Sequence, residues 1–271
     1  MKLIRTLLLC AAAIILQNHV VVQGLTLPTS HWMKDLLTGY ERRCAADPSF
    51  PIKSITEVVL AAGTQLTAEF ERRGVDRISA EVDFVVAGVL TAMYGKYASM
   101  WKVAPTSIKE GTKANPDSSV PRIGKIEVPT NAFQKYLLDG VTEPSVKQRV
   151  GSLLVPMVPL FRSGVIASMV GYGATALLIQ MRSILVPSYV ATTQSVNIVD
   201  ASLYTGAFMA LVSNLRYQFL QGIIEPAIST TLHRLPYAQA ALIFITRVAN
   251  GILGSILAIS GMRLLGLQKL R

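Results

Sequence analysis

The most restrictive feature of this chain is the apolar segment ALIFITRVANGILGSILAISG (residues 241–261), which carries Arg247 and Asn250 near its middle. Burying either polar group in hydrocarbon costs several kcal/mol unless the group finds a partner. The apolar run extends over residues 237–262, which is long enough to span a bilayer with some tilt. The segment therefore predicts a membrane helix whose polar side chains turn away from the lipid.

The small and polar residues of this segment fall on one face of the predicted helix. Counted from Arg247 at helical spacing, that face carries Asn250, Gly251, Gly254, Ser255, Ala258 and Gly261. The opposite face carries large aliphatic residues suited to lipid. Arg247 and Asn250 are therefore expected to point toward other helices or a cavity, and Gly251, Gly254 and Ser255 are predicted to be helix-packing positions.

Two roles are open for Arg247. The side chain can extend to a membrane interface, which would leave a span of only fifteen residues, 248–262. Alternatively it pairs with a buried acid, for which Asp83, Asp200 and Glu225 are the candidates. A structural ion pair between helices and a ligand-binding site would both use such a pairing.

Residues 164–181 form the most uniformly apolar segment, with eighteen uncharged residues bounded by arginines. Ala167, Gly171 and Thr175 lie four positions apart and would let a second helix approach closely. This segment therefore predicts a membrane helix with these three residues on its packing face.

Two shorter apolar segments complete the predicted bundle. Residues 201–215 cover roughly 22 Å as a helix, too short for a lipid-exposed crossing, so Arg216 is expected inside the apolar zone or at its edge. Residues 84–95 are uncharged between Asp83 and Lys96 but too few to cross a bilayer alone. They form a tilted or re-entrant piece, or one of these two charges lies inside the bundle.

Composition agrees with a membrane protein. Of the 271 residues, 51% are hydrophobic and only 15% are charged, compared with roughly 25% charged in soluble domains. The formal net charge is +10, but the basic residues flank apolar segments and do not cluster with aromatic residues. They are interpreted as facing lipid headgroups, or as ordinary solvated loop charges, and no nucleic-acid partner is expected.

The remaining segments are more polar. Apolar residues recur at helical spacing over residues 55–70 with Glu57 and Glu69 on other faces, which predicts an amphipathic helix on the membrane or against the bundle. Residues 102–130 contain four prolines and predict a loop, and residues 131–149 predict a soluble helix interrupted at Gly140. The predicted fold is all-α, a multi-pass helical membrane protein with roughly four membrane-embedded helices plus the amphipathic helix.

The N-terminal residues resemble a secretory signal. Lys2 and Arg5 precede an apolar stretch over residues 6–16, and cleavage is predicted after Gly24. An uncleaved N-terminal anchor is the alternative. Residues 25–54, with hydroxyl and basic side chains and few acids, predict a transit-like or disordered leader. The membrane domain is then expected over residues 55–271.

The sequence offers little for an enzyme. After cleavage the histidines are His31 and His233 and the cysteine is Cys44, so neither a metal cluster nor an intrachain disulfide is expected. The Gly171-Tyr172-Gly173 sequence lies within an apolar span and lacks the third glycine of a dinucleotide loop. No enzymatic activity, cofactor or metal is predicted.

A set of short motifs and single residues, most of them polar residues with apolar neighbours, is distributed between residues 58 and 270. The set comprises Glu81-x-Asp83-Phe84-Val85, Asn131-Ala132-Phe133-Gln134, Arg149-Val150-Gly151, Ser213-Asn214-Leu215-Arg216-Tyr217-Gln218, Gly222, Glu225, Arg247, Asn250, Leu253-Gly254-Ser255, Arg263 and Leu267. In this order they resemble the signature of the RETICULATA-related family of plant and algal plastid proteins. Asp83, Arg216, Glu225, Arg247 and Asn250 belong to this signature and are the candidate intramembrane polar or binding residues.

The resemblance implies a multi-pass protein of the chloroplast envelope, from a family tied to leaf and plastid development. Transport of a metabolite or ion is the function usually suggested for the family. The resemblance implies no catalytic residues. The alternative is a non-transporting membrane scaffold or assembly factor. The expected partner is the lipid bilayer, with further copies of the chain or other envelope proteins as candidates, and the solute is not indicated.

The signal peptide departs from the serine-rich transit peptides of plant members. In an alga with a plastid acquired by secondary endosymbiosis, such proteins enter the endoplasmic reticulum through a signal followed by a transit-like segment. The predicted location is therefore the plastid envelope reached through the endoplasmic reticulum, with the endomembrane system as the alternative.

Overall fold

A computed structural model describes residues 31–75, 78, 81–108, 121–186 and 197–267, and over these residues the chain is all-α apart from one short hairpin. The all-α prediction is confirmed. The helices are α1 (His31–Ala46), α2 (Phe50–Arg73), α3 (Val82–Val103), α4 (Val146–Leu154), α5 (Met157–Leu185), α6 (Ile198–Thr231) and α7 (Pro236–Leu264). Strand β1 (Arg122–Ile123) pairs antiparallel with β2 (Ile126–Glu127) inside the predicted loop, with Ile123 opposite Ile126.

Three helical stretches are long and apolar enough to cross a membrane. They are Val146–Leu185, which combines α4 and α5, then α6 and α7. The fourth predicted segment, residues 84–95, lies within α3, which packs against α2 and α5 but does not reach the same length and hydropathy. Length and composition therefore support three spans among the described residues, and the fourth embedded helix stays a prediction.

Helix α2 is amphipathic as predicted, but its polar face points into the bundle. Lys53, Glu57 and Glu69 are buried, whereas Val59 and Phe70 are about half exposed. A water-soluble bundle would hold the opposite arrangement, because burying charge without a partner is costly. The buried charges of α2 find partners on α6, α7 and its own next turn, which is why this orientation is stable.

Helix α1 lies where a transit-like or disordered leader was predicted over residues 25–54. The Arg43 guanidinium lies 3.8 Å from the Trp101 ring centroid and donates hydrogen bonds to the Trp101 carbonyl at 2.9 and 2.6 Å. Tyr40 stacks on the same indole, and Phe50 belongs to the buried core with Met100. The predicted signal peptide, residues 1–24, lies outside the described residues.

Helices α5 and α6 cross at a pair of glycines. A Cβ atom added at Gly164 would lie 2.8 Å from the Gly206 Cα and 2.8 Å from the Thr205 carbonyl oxygen. One added at Gly206 would lie 2.9 Å from the Phe161 carbonyl oxygen. Only the absence of side chains at both positions allows the two backbones to approach this closely.

The soluble helix predicted over residues 131–149 is wrong for most of its length. Helix α4 begins only at Val146, where Ser145 and Gln148 form a capping box, and Gly140 has a φ of +75°. The preceding loop is held by side-chain hydrogen bonds. The Asn131 Nδ2 donates to the Gln218 carbonyl at 3.2 Å, and the Gln218 Oε1 accepts from the Ala132 amide at 2.8 Å. Tertiary hydrogen bonds of this kind outweigh local helix propensity.

Candidate functional site

A chain of buried ion pairs connects α2, α6 and α7. Arg247 is 1% exposed, and its Nη1 and Nη2 lie 3.0 Å from the Glu57 Oε2 and 2.7 Å from the Glu225 Oε1. The second Glu225 oxygen lies 2.8 Å from the Lys53 Nζ, which also lies 2.6 Å from Asp47. These five residues are called the Arg247 network below. It anchors α7 to α2 and to the C-terminal part of α6.

The Arg247 network contains three acids and two cations, so its formal charge is −1. Tyr217 donates its hydroxyl proton to the free oxygen of Glu57. At the outer end, burial acts to raise the pKa of Asp47, but the attraction and hydrogen bonds of Lys53 and the hydrogen bonds of Ser49 outweigh it and lower that pKa. All three carboxylates are therefore held as acceptors facing cations.

A cavity of about 410 Å³ lies between α2, α3, α5, α6 and α7. This volume lies in the range of sites for small molecules. Most of its lining consists of small residues, and Tyr217 separates it from Arg247, which is not part of the lining. The charged lining residues are Glu69, Arg73, Lys96 and Arg216.

Lys96 and Arg216 face the cavity without a carboxylate partner. The Lys96 Nζ donates to the Thr64 Oγ1 at 2.8 Å, and the Arg216 Nη2 donates to the Asn250 Oδ1 at 2.9 Å and to the Asn250 carbonyl. The Arg216 Nε is buried and makes no hydrogen bond. Within the described part of the chain, no carboxylate oxygen lies within 4.0 Å of either cation.

The other two charged residues of the lining are already engaged. Arg73 donates to Glu69 at 2.7 Å and pairs with Glu81, and the second Glu69 oxygen accepts from Gln65 at 3.0 Å. This cluster is therefore closed by its own hydrogen bonds. The groups left to bind something in the cavity are Lys96 and Arg216.

One glycine of α7 makes room for a cation. A Cβ at Gly254 would overlap the Arg216 guanidinium, whereas one at Gly251 would lie in ordinary contact, 4.0 Å from the Lys96 Nζ. The predicted packing residues Ala167, Gly171, Thr175 and Ser255 line the same cavity, as do these two glycines. The small-residue faces of α5 and α7 thus border a space, although Gly171 also lies close to Thr91 of α3.

Helix α6 carries two π-helical turns around the site. They span Met209–Ser213 and Leu220–Ile224 and enclose the α-helical stretch Asn214–Phe219, which holds Arg216 and Tyr217. Each π turn inserts one residue into the helical register, and such turns occur frequently at functional sites. Between the two π turns, Arg216 and Tyr217 both line the cavity, and Tyr217 also contacts Glu57.

The structure separates the predicted site residues into different groups. Glu225 and Arg247 meet in the Arg247 network, and Arg216 and Asn250 meet at the cavity. Asp83 instead pairs with Arg182 at 2.6 Å between α3 and α5, at about one-third exposure.

Asp200 is exposed in the first turn of α6, where its carboxylate accepts from the Asn197 side chain at 2.7 Å. Of the three acids proposed for Arg247, the structure therefore brings only Glu225 to it.

Sequence reasoning missed several residues of the site. Lys96 was considered only as one of two charges that could lie inside the bundle. Asp47 and Lys53 fell within the predicted leader, and Glu57 was placed on the polar side of an amphipathic helix without a partner. A signal for α2 was present, because polar residues recur at every fourth position from 53 to 73 except at Ala61, and neighbouring members of such a row share a helix face. These positions are Lys53, Glu57, Ala61, Gln65, Glu69 and Arg73. Within the ranges the structure describes, no three His, Cys, Asp or Glu side chains are grouped to hold a metal ion.

Comparison with known proteins places this arrangement in a family. The RETICULATA-like family model, described as Protein RETICULATA-related, matches residues 42–223, which include Lys53, Glu57, Lys96 and Arg216. No solved structure matches the chain.

Curated relatives extend the similarity over most of the chain. Protein RETICULATA-RELATED 4, chloroplastic, from Arabidopsis thaliana is 32% identical over 255 residues, which cover 93% of this chain and 65% of the relative. Protein RETICULATA-RELATED 5, chloroplastic, from the same plant is 30% identical over 237 residues, covering 85% and 32%. This chain thus spans less than two thirds of either relative. From the family match and this identity, the chain belongs to the RETICULATA-related family.

Proposed function

We propose that this protein transports a small solute across a plastid envelope membrane and that the cavity between α2, α3, α5, α6 and α7 is where the solute binds. The observation that supports this most strongly is the cavity itself, a space of about 410 Å³ lined by polar and small residues. The helices around it carry large apolar residues on their outer faces. Polar groups that face the interior of a membrane bundle typically mark a solute pathway.

The proposed membrane region includes α2 and α3 beside the three long spans. Helix α2 turns Val59 and Phe70 outward and its charges inward, and α3 exposes Leu90 and Tyr94 while Lys96 points to the cavity. Inward polar and outward apolar faces are the pattern expected in lipid. Helix α3 is then the fourth membrane-embedded helix expected from the sequence, and α2 is a further one.

The proposed location is the plastid envelope, since the curated relatives carry names that call them chloroplastic. Helix α1 packs on the core at its buried Arg43, so we propose that the transit-like leader, expected over residues 25–54, ends before this contact. A fusion of residues 1–30 to a fluorescent protein, expressed in an alga with a secondary plastid, should reach the plastid through the endoplasmic reticulum. Retention of this fusion in the endomembrane system would favour the alternative location.

Filling the cavity tests the transport proposal. Phenylalanine at position 255 would project into the cavity, whereas phenylalanine at position 256 would face outward, since the Ile256 side chain is 56% exposed. In proteoliposomes, wild-type protein and Ile256→Phe should therefore move a labelled solute at similar rates, and Ser255→Phe should reduce uptake to background. The labelled panel is malate, inorganic phosphate, lysine and glucose.

The same experiment distinguishes transport from a scaffold role. A scaffold would move none of the four solutes as wild-type protein, and its small-residue faces would serve assembly only. In that case Arg247→Ala would fail to assemble without any flux having been lost. Equal uptake by Ser255→Phe and wild-type protein would contradict a route through this cavity.

A further inference from the structure

We propose that the cavity binds an anionic group of its solute, a carboxylate or a phosphate, between the Lys96 ammonium and the Arg216 guanidinium. This inference rests on the proposed function where it concerns transport of the solute. The anion-binding site itself is argued only from contacts in the structure. The two cations come from different helices, α3 and α6, and both line the same space.

Charge balance around the cavity is the first argument. The cavity lining holds one acid, Glu69, and three cations, Arg73, Lys96 and Arg216, and Glu81 pairs with Arg73. These two acids and three cations carry a formal charge of +1. A bound anion would balance that excess positive charge.

Unfilled donors are the second argument. The Arg216 Nε is buried without an acceptor, although buried polar groups are almost always satisfied. The Lys96 ammonium has three donors and makes its hydrogen bond to the Thr64 hydroxyl. Both side chains therefore retain donors for an acceptor that is rich in oxygen atoms.

The hydroxyl groups of the lining do not offer the same chemistry. Thr91, Ser99 and Ser255 each donate to a carbonyl oxygen of their own helix at 2.8, 3.0 and 3.1 Å. The protons of these three hydroxyls are committed to the backbone, whereas Lys96 and Arg216 offer charged donors. This distribution favours an anion over a neutral polyol.

The third argument is that both cations, which belong to α3 and α6, face the same helix, α7. Lys96 faces Gly251 and Arg216 faces Gly254, which are three residues apart on the same helix. Side-chain positions at this spacing are about 5–6 Å apart. Donors that face neighbouring positions of α7 can reach one polyatomic anion, and the planar guanidinium is well matched to carboxylate and phosphate oxygens.

Equilibrium binding to the purified full chain in detergent tests the site. The probes are radiolabelled malate and inorganic phosphate, with glucose as the neutral comparison, and the two anions distinguish a carboxylate site from a phosphate site. Lys96→Gln and Arg216→Gln should each weaken binding of the preferred anion by about tenfold or more, the factor for one charge-assisted hydrogen bond. Arg263→Gln, at an exposed position of α7, should bind as wild type.

A second variant covers the possibility that Arg216→Gln fails to fold. Arg216→Lys keeps the charge but loses the planar fork, so it should fold and bind more weakly than wild type. Thermal unfolding of each variant verifies folding. The inference would be overturned if a folded wild type bound neither anion, or if both glutamine variants bound as tightly as wild type.

Binding and flux separate this inference from the transport proposal. Anion binding that depends on Lys96, without flux of any labelled solute, would support the site and reject transport. Flux of glucose or lysine without anion binding would support transport and reject the anion site.

Discussion

Replacing Arg247 with methionine is expected to abolish accumulation of folded protein. The substitution leaves the Glu57 and Glu225 carboxylates, both under 5% exposed, without the guanidinium that lies within 3.0 Å of each. Breaking a buried ion pair on one side costs about 3–5 kcal/mol, a large share of the roughly 5–15 kcal/mol that stabilises a folded protein. Monodisperse yield in detergent and the thermal unfolding midpoint measure this effect.

Two further variants show whether the loss comes from uncompensated charge. Arg263→Met removes an exposed arginine from the same helix and should behave as wild type. Glu57→Gln combined with Arg247→Met returns the formal charge of the network from −2 to −1 and should recover part of the yield. If Arg247→Met were as stable as Arg263→Met, the network would not hold the bundle together.

Adding one methyl group at Gly164 is expected to destabilise the bundle strongly. The alanine Cβ would lie 2.8 Å from two backbone atoms of α6, and backbone cannot move aside as the end of a side chain can. Overpacking of this kind costs about 1–3 kcal/mol. We expect a lower unfolding midpoint for Gly164→Ala in detergent and faster proteolysis between α5 and α6.

Gly173 on the same helix is the matched control. A Cβ at this position would meet no atom within 4 Å. Alanine also has the higher helix propensity, by about 1 kcal/mol in water, so Gly173→Ala should be neutral or stabilising. The two substitutions add the same methyl group to α5, but only Gly164→Ala should lower the unfolding midpoint. Equal effects of both would show that α5 and α6 do not cross at Gly164.

The sequence predicted an inward position for polar residues where they interrupt an otherwise apolar helix. In α7, Arg247 and Asn250 interrupt a long apolar run, so they are expected to face other helices and not lipid. In α2 the sequence did not decide which face points into the bundle, because charges and apolar residues are mixed there in the proportion of a surface helix. The row of polar residues from Lys53 to Arg73 does not show what lies opposite it.

Partners in the site were not predictable from spacing. Glu57 lies 190 residues from Arg247 along the chain, and Asp83 and Asp200 were equally plausible acids for it. The two π turns of α6, which flank the stretch that contains Arg216 and Tyr217, have no recognisable sequence pattern. Such features depend on contacts distant in sequence.

The sequence by itself determined an all-α chain with long apolar helices, small-residue faces on α5 and α7, and membership of its family. These properties are local, because helical period and hydropathy are read from neighbouring residues. Only the tertiary structure decided that Arg247 meets two carboxylates and that Lys96 and Arg216 face the cavity without a carboxylate partner. Charge pairing depends on which helices meet and in what register, and no local pattern encodes that.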